Sequence, residues 1–243
     1  MTDPTVSHVL LDIEGTTCPV SFVGETLFPY AAKHLPAYLQ RHANEPNVKQ
    51  LLAGVEDAWH QDPDPRAQQL RRQEDANVGD YLLWLISQDR KLTELKDLQG
   101  LIWRNGYASG DLVAPLFADV PAALRRWHQQ GLVLAVYSSG SVGAQQLLYG
   151  HSDAGDLREL FRHWYDTRMG PKQETSSYEA IAQAMGVATS AVLFVSDALA
   201  ECEAADRAGM QVQFSDREGN PNRNAGRFAR INTFDNLLLN LEP

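Results

Sequence analysis

Apolar residues follow two different patterns along the chain, and the change between them divides the sequence. Residues 9–11, Val-Leu-Leu, form an uninterrupted apolar run that ends at Asp12, and such a run predicts a strand buried on both faces. From about residue 20 to residue 119 the apolar spacing predicts helices and no strand. The predicted helices of this block are residues 27–40, 48–59, 79–88 and 92–107. The stretch 61–65, Gln-Asp-Pro-Asp-Pro, predicts a turn or loop.

Strands and helices alternate after residue 120. Strands are predicted at residues 132–137, 164–166, 191–195 and 211–214. Helices are predicted at residues 121–130, 142–149, 176–185, 199–208 and near 234–241, with a loop at 216–228. This alternation implies a parallel sheet covered on both faces.

We therefore predict an α/β fold with a doubly wound, mainly parallel sheet. Residues 1–19 and 120–243 are expected to form this α/β core, and residues 20–119 an all-helical cap inserted after the first strand. Because the insertion follows the carboxyl end of that strand, where ligands of such sheets bind, its position predicts a lid over a site.

The charge and cysteine content argue against several partners. Lys and Arg number 21 and Asp and Glu number 31, which gives a net charge of −10 without a long basic run, so nucleic acid and anionic membranes are disfavoured. We see no segment of membrane-spanning length and no signal peptide. Cys18 and Cys202 form neither a metal motif nor a disulfide framework. We expect a cytoplasmic protein, and a monomer because no large apolar surface stripe is apparent.

Polar residues that could carry chemistry follow the predicted strands. They are Asp12 with Glu14, Ser138 with Ser139, Lys172, and Asp197. Because the carboxyl ends of parallel strands share one edge of a sheet, these residues are expected to meet there. A carboxylate can act as a nucleophile on phosphorus, several carboxylates can hold one Mg²⁺, serine and helix N–H groups can bind phosphate oxygens, and a lysine can neutralise them.

Each of these residues also has an ordinary structural explanation. Asp12 and Asp197 could cap a helix or lie in solvated loops, and the serines at 138–141 could form a turn. Lys172 after a proline could be an exposed loop lysine. Their recurrence after successive strands favours a shared site over capping alone.

The order Asp12, Ser138, Lys172 and Asp197 resembles the haloacid-dehalogenase-like superfamily, in which the first strand ends in Asp-x-Asp-x-Thr and a Ser or Thr, a Lys and an acid follow. Glu14 departs from this pattern, since most phosphatases of the superfamily carry Asp there. Within the superfamily, the chain resembles the enolase-phosphatases of methionine salvage, also called acireductone synthases. The matching stretches are residues 10–17 with Pro19, 27–30, 98–100 with Trp103, 117–120, 137–142 and 165–167.

This resemblance implies a bifunctional enzyme. Such enzymes enolise 2,3-diketo-5-methylthiopentyl-1-phosphate and then hydrolyse its phosphate, which yields the acireductone 1,2-dihydroxy-3-keto-5-methylthiopentene. The resemblance implies one Mg²⁺ per chain with Asp12, Glu14 and Asp197 as ligands, and Ser138, Ser139 and Lys172 as substrate contacts. Asp12, Glu14 and Lys172 are the candidate catalytic residues. Glu14 is a hypothetical base for enolisation because it reaches further than Asp, with a cap residue as the alternative.

Three other functions stay open at this point. Another phosphatase of the superfamily would act on a different small phosphorylated metabolite. A haloacid dehalogenase needs no Mg²⁺, so the acids at 14 and 197 would have no role. A phospho-receiver module would not turn over a phosphate ester, and such modules are much shorter and lack a hundred-residue insertion.

Overall fold

The computed structural model describes residues 5–237, and the chain divides into two compact units. One unit comprises Met1–Val23 and Val113–Pro243, and the other comprises Gly24–Leu112. The division into an α/β core and an inserted helical cap, with boundaries at residues 20 and 119, remains a prediction.

One six-stranded sheet forms the centre of the first unit. Its strands are β1 (His8–Leu11), β2 (Val133–Tyr137), β3 (Phe161–Tyr165), β4 (Val192–Ser196), β5 (Gln211–Ser215) and β6 (Ala229–Ile231). They lie in the order β3-β2-β1-β4-β5-β6, and each neighbouring pair is parallel. This confirms the predicted α/β class with a doubly wound parallel sheet.

The described part of the chain contains nine α-helices. They are α1 (Phe28–His42), α2 (Pro46–Gln61), α3 (Pro65–Arg71), α4 (Val78–Ser87), α5 (Thr93–Ser109), α6 (Val120–Gln129), α7 (Val142–Gly150), α8 (Thr175–Met185) and α9 (Leu199–Arg207). Helices α6 to α9 alternate with the strands of the first unit. Among the described residues, none of these helices is both long and apolar enough to cross a bilayer.

The central strands are buried because their side chains are apolar on both faces. Leu10 on β1, Tyr137 on β2 and Phe194 on β4 belong to one core cluster with Tyr178 of α8. Each of these side chains is completely buried, and burying a large apolar side chain contributes about 1.5–3 kcal/mol. This core holds β1 between β2 and β4.

The second unit is helical throughout, and no strand lies between residues 24 and 112. Trp59 of α2 stacks on Tyr81 of α4 at a ring separation of 5.0 Å, and its indole N–H donates to the carbonyl of Ala67 at 2.9 Å. A buried carboxylate lies beside this stack. Asp62 accepts hydrogen bonds at 2.7 Å from the Tyr81 hydroxyl and at 2.7 Å from Arg90 Nη1.

Three local predictions differ from the structure. The predicted loop at residues 61–65 is confirmed for Asp62–Asp64, but no helix is predicted where α3 follows it. Asp64 caps α3 by accepting from the backbone N–H of Arg66 at 2.8 Å, and Pro65 occupies its first turn, where proline is favoured. Strand β6 was missed because it is a three-residue edge strand without an apolar run. The helix predicted near 234–241 is a single 3₁₀ turn at Phe234–Asn236, and residues 238–241 lie outside the described part.

Candidate active site

Asp12 lies at the carboxyl end of the central strand β1. Its backbone N–H donates to the carbonyl of Val195 at 3.0 Å, which continues the pairing of β1 with β4. Leu11 is opposite both Val136 and Val195. Asp12 is only 6% exposed. The residues that follow β2 and β4 therefore flank a buried carboxylate on both sides.

Lys172 connects Asp12 to a second carboxylate. Its Nζ lies 2.6 Å from Asp12 Oδ1 and 2.6 Å from Glu201 Oε2, and its side chain is 9% exposed. Burial alone would lower the pKa of Lys172, but the neighbouring charges of Asp12 and Glu201 raise it above its usual value. The ammonium group is therefore protonated at neutral pH and shared between two acids.

Three hydroxyl groups hold the loop that carries Lys172. The Tyr137 hydroxyl donates to the carbonyl of Gly170 at 2.9 Å, Ser177 Oγ to that of Pro171 at 2.8 Å, and the Tyr178 hydroxyl to that of Lys172 at 2.7 Å. Gly170 has φ of +129°, and a Cβ there would overlap with Ser177 Oγ. Three consecutive carbonyls are thus fixed from β2 and α8, which orders a loop without regular structure.

The loop after β2 carries the two predicted serines in different environments. Ser138 is buried and its Oγ accepts from the N–H of Gly140 at 3.2 Å, whereas Ser139 is exposed. The Gln145 amide donates to the carbonyls of Gly140 and Tyr165 at 2.8 Å each. The loop is thereby fixed to β3 at the start of α7, where backbone N–H groups can bind an anion.

The turn after β1 supports Asp197. Gly15 has φ of +68°, and a Cβ at this residue would overlap with the carboxylate of Asp197. Only glycine allows both the left-handed backbone and this close approach. Asp197 follows β4 directly, so the carboxyl end of β4 brings it against the turn that begins at Asp12 and contains Glu14.

Negative charge accumulates around Asp197. Burial raises the pKa of Asp197 to about 7, and the charges of Asp12, Glu201 and Glu14 contribute to the rise, against the opposing effect of Lys172. Burial also raises the pKa of Glu201, with the charge of Asp12 next in size. One buried ammonium group therefore faces an excess of carboxylates.

The donor set fits a hard divalent cation. Mg²⁺ commonly takes one or two carboxylates and keeps water and phosphate oxygens in its other positions. Asp12 and Asp197 provide such carboxylates, and a divalent cation would balance their charge. Among residues 5–237, no group of three or more Asp, Glu, His or Cys side chains is arranged so that it could hold a metal ion. The fit to a cation therefore depends on the charge and oxygen chemistry of Asp12 and Asp197 alone.

Sequence reasoning missed Glu201. Its only signal was an acid in the first turn of the helix that follows β4, and such acids are usually explained by the helix dipole. Here Glu201 bonds Lys172 and also accepts from Ser196 Oγ at 2.9 Å. The contact depends on Lys172, which lies 29 residues earlier in the chain and cannot be paired with it by spacing.

The parallel sheet thus carries a buried acid, Asp12, paired with Lys172 at the edge where ligands of such sheets bind. A model of the haloacid dehalogenase-like hydrolases matches residues 6–209, and the chain belongs to this class. Enolase-phosphatase E1 of Synechococcus sp. strain RCC307 is 53% identical over 88% of this chain and 86% of the relative. For the E1 protein of Synechococcus sp. strain CC9902 the identity is 48%, over 89% of this chain and 91% of the relative.

A solved structure gives the same result for the fold. The UTR4 protein of Saccharomyces cerevisiae superposes with a TM-score of 0.76 at 34% identity, and the match covers 96% of this chain and 100% of that protein. Within the haloacid dehalogenase-like hydrolases, the chain belongs to the enolase-phosphatase E1 family. The resemblance found from the sequence motifs is confirmed.

Proposed function

We propose that this protein is a Mg²⁺-dependent enolase-phosphatase of methionine salvage. It enolises 2,3-diketo-5-methylthiopentyl-1-phosphate and hydrolyses the phosphate to give the acireductone 1,2-dihydroxy-3-keto-5-methylthiopentene. Membership of the E1 family supports the substrate, and the 2.6 Å contact between Lys172 Nζ and Asp12 Oδ1 carries the chemical argument. This contact pairs the buried Asp12 carboxylate with the protonated Lys172 ammonium at the edge of the sheet where ligands bind.

Asp12, Glu14 and Asp197 are the proposed ligands of one Mg²⁺. When bound, Mg²⁺ supplies the positive charge that lets a phosphate approach this acidic cluster. The protonated Lys172 adds a second positive charge at Asp12. Ser138 and Ser139, with N–H groups at the start of α7, are proposed to bind the remaining phosphate oxygens.

Asp12 is the proposed nucleophile for phosphate transfer. One of its oxygens attacks the phosphorus, the bond from phosphorus to the substrate oxygen breaks, and the departing oxygen takes a proton from water. Water then hydrolyses the acyl phosphate, which releases inorganic phosphate and restores the carboxylate. Direct attack by water would give the same products. A chirally labelled phosphate distinguishes them, because two displacements retain its configuration and one inverts it.

An assay on the diketone phosphate tests the proposal. Phosphate release and enol absorbance are followed together, with Mg²⁺ and after removal of metal with EDTA. We expect both products with Mg²⁺ and loss of phosphate release with EDTA, restored by added Mg²⁺. Turnover that EDTA leaves unchanged would contradict the metal requirement. Hydrolysis of other small phosphate esters but not of this one would favour a different phosphatase of the same class.

We also propose a cytoplasmic monomer that binds a small phosphorylated substrate and neither nucleic acid nor membrane. The net charge of −10 supports the last two points, and two buried free thiols, Cys18 and Cys202, agree with a reducing compartment. Within residues 5–237, Val113 is the one large hydrophobic side chain that is exposed, which favours a monomer. Light scattering after gel filtration measures the mass directly.

A further inference from the structure

The last residue of β5 and the segment that follows it contact the turn after Asp12. Ser215 Oγ donates to the carbonyl of Gly15 at 2.8 Å, and Asn220 Nδ2 donates to the same carbonyl at 3.0 Å. Asn220 Nδ2 also donates to the carbonyl of Ser215 at 3.2 Å. Asn220 is 8% exposed and Ser215 is completely buried. Two side chains from one segment therefore fix a single carbonyl of the turn.

Arg217 holds the next carbonyl along this turn. Its Nε donates to Thr16 O at 3.2 Å, and its two Nη atoms each donate to the carboxylate of Asp119 at 2.9 Å. The guanidinium lies between the rings of Phe117 and Phe234, 4.6 Å and 4.8 Å from their centroids.

Arg217 is fully enclosed, with 2% of its surface exposed. A charge buried this deeply requires a paired carboxylate. Asp119 provides it in the bidentate geometry that arginine favours. The position of Nε, and hence of Thr16 O, is therefore determined by Asp119 and the two aromatic rings. The backbone of the turn is held by a rigid group.

We propose that Asn220 and Arg217 are positioning residues for the cation and phosphate site, an inference that rests on the Mg²⁺-dependent function proposed above. They hold the carbonyls of Gly15 and Thr16. This fixes the turn that carries Glu14 and supports the carboxylate of Asp197.

These hydrogen bonds act on cation affinity through the peptide of Gly15. Gly15 is the residue against which the Asp197 carboxylate lies, and it directly follows Glu14. A shift of the Gly15 peptide would displace two proposed ligands at once. Loss of groups that orient metal ligands commonly weakens metal binding by about 10- to 100-fold.

The test compares Asn220→Ala with Asn222→Ala in the full-length protein. Asn222 is an exposed asparagine of the same segment, and its Oδ1 accepts from the N–H of Asn224 at 3.0 Å. Two quantities are measured for each protein: the Mg²⁺ concentration that half-saturates phosphate release, and the rise in melting temperature that MgCl₂ alone produces. The second quantity reports binding without any turnover.

We expect Asn220→Ala to raise the half-saturating Mg²⁺ concentration by about 10-fold or more and to shrink the Mg²⁺-induced rise in melting temperature. Asn222→Ala should match the wild type in both. Ser215→Ala removes one of the two donors to Gly15 O and should show a smaller change in the same direction. Arg217→Lys keeps the charge but loses the forked geometry and should also weaken Mg²⁺ binding.

A lower melting temperature with unchanged Mg²⁺ response in Asn220→Ala, Ser215→Ala and Arg217→Lys would overturn the inference, because the residues would then serve stability alone. If Asn220→Ala does not fold, the other two variants decide the outcome by the same measurements. A wild-type protein without any Mg²⁺ response would instead refute the proposed function, so the two failures are distinguishable.

Discussion

Lys172 Nζ lies at the same distance, 2.6 Å, from Asp12 Oδ1 and from Glu201 Oε2. One ammonium group therefore serves two carboxylates, and it orients the acid at the end of β1 without neutralising the cluster. A divalent cation would balance the remaining negative charge. The ion pair between Lys172 and Asp12 meanwhile holds the Asp12 carboxylate in one orientation. The proposed roles of Asp12 and Lys172 are thus physically coupled.

Asp12→Asn is expected to abolish phosphate release and leave the fold intact. The amide keeps the shape of the side chain but loses the nucleophilic oxygen and the charge that Lys172 and a cation require, so turnover should fall by at least about a thousandfold. Phosphate release and circular dichroism measure the two effects. Asp156→Asn, at an exposed acid paired with Arg158, is the control and should retain activity. Substantial turnover by Asp12→Asn would refute a central role for this residue.

Ser177→Ala should destabilise the loop that carries Lys172. The buried Ser177 donates from its Oγ to the carbonyl of Pro171 at 2.8 Å in a partly buried hydrogen bond, and a typical intramolecular hydrogen bond contributes about 0.5–1.5 kcal/mol to stability. Exposed Ser176 precedes it in α8. Ser176→Ala therefore makes the same change in helix propensity without breaking this bond. Urea unfolding should give a lower free energy of unfolding for Ser177→Ala than for Ser176→Ala, and equal values would contradict this account.

Much of the site could be predicted from the sequence because one topological rule applies to it. The carboxyl ends of parallel strands meet at one edge, so Asp12, Ser138 and Asp197 were expected together despite their separation in the chain. The motif at residues 10–17 then indicated the family. Local pattern was sufficient for each of these steps.

The supporting contacts could not be predicted in this way. Glu201 resembles an ordinary acid of a first helical turn, and Arg217 and Asn220 lie in a polar segment that was correctly predicted as loop but without any role. Their partners, Lys172 and Gly15, are distant in sequence. Which hydroxyl or amide meets which carbonyl is decided by tertiary packing, and composition carries no signal for that.

Glu14→Gln tests the proposed base for enolisation. The amide preserves the length of the side chain but cannot accept a proton, so exchange of the substrate's reacting proton with deuterium oxide should slow by about 10²–10⁴-fold. Nuclear magnetic resonance follows this exchange, and Mg²⁺ binding is measured in parallel by the melting-temperature response. Glu159→Gln, at an exposed residue, is the control. Exchange at the wild-type rate with Mg²⁺ still bound would exclude Glu14 as the base.

Asp62 should make the stability of the second unit depend on pH. Burial alone would raise its pKa, but hydrogen bonds from the Asp64 N–H, the Tyr81 hydroxyl and Arg90 lower the pKa below its usual value. A carboxyl group with a lowered folded-state pKa stabilises the fold when ionised. The contribution is therefore complete above the unfolded-state value of about 3.9 and is lost as the pH falls through the folded-state pKa.

This contribution is measured by urea unfolding of Asp62→Asn and of the wild type. Circular dichroism follows the unfolding at a series of pH values, from pH 7 down to the lowest pH at which the protein is still folded. The variant should be less stable at neutral pH, because the buried amide cannot replace an ionised acceptor for Tyr81 and Arg90. The difference from wild type should narrow as the pH falls below about 3.9. Asp57→Asn, at an exposed acid of α2, should stay within about 0.5 kcal/mol of wild type. A difference that does not change with pH would show that Asp62 acts through its shape and not through its charge.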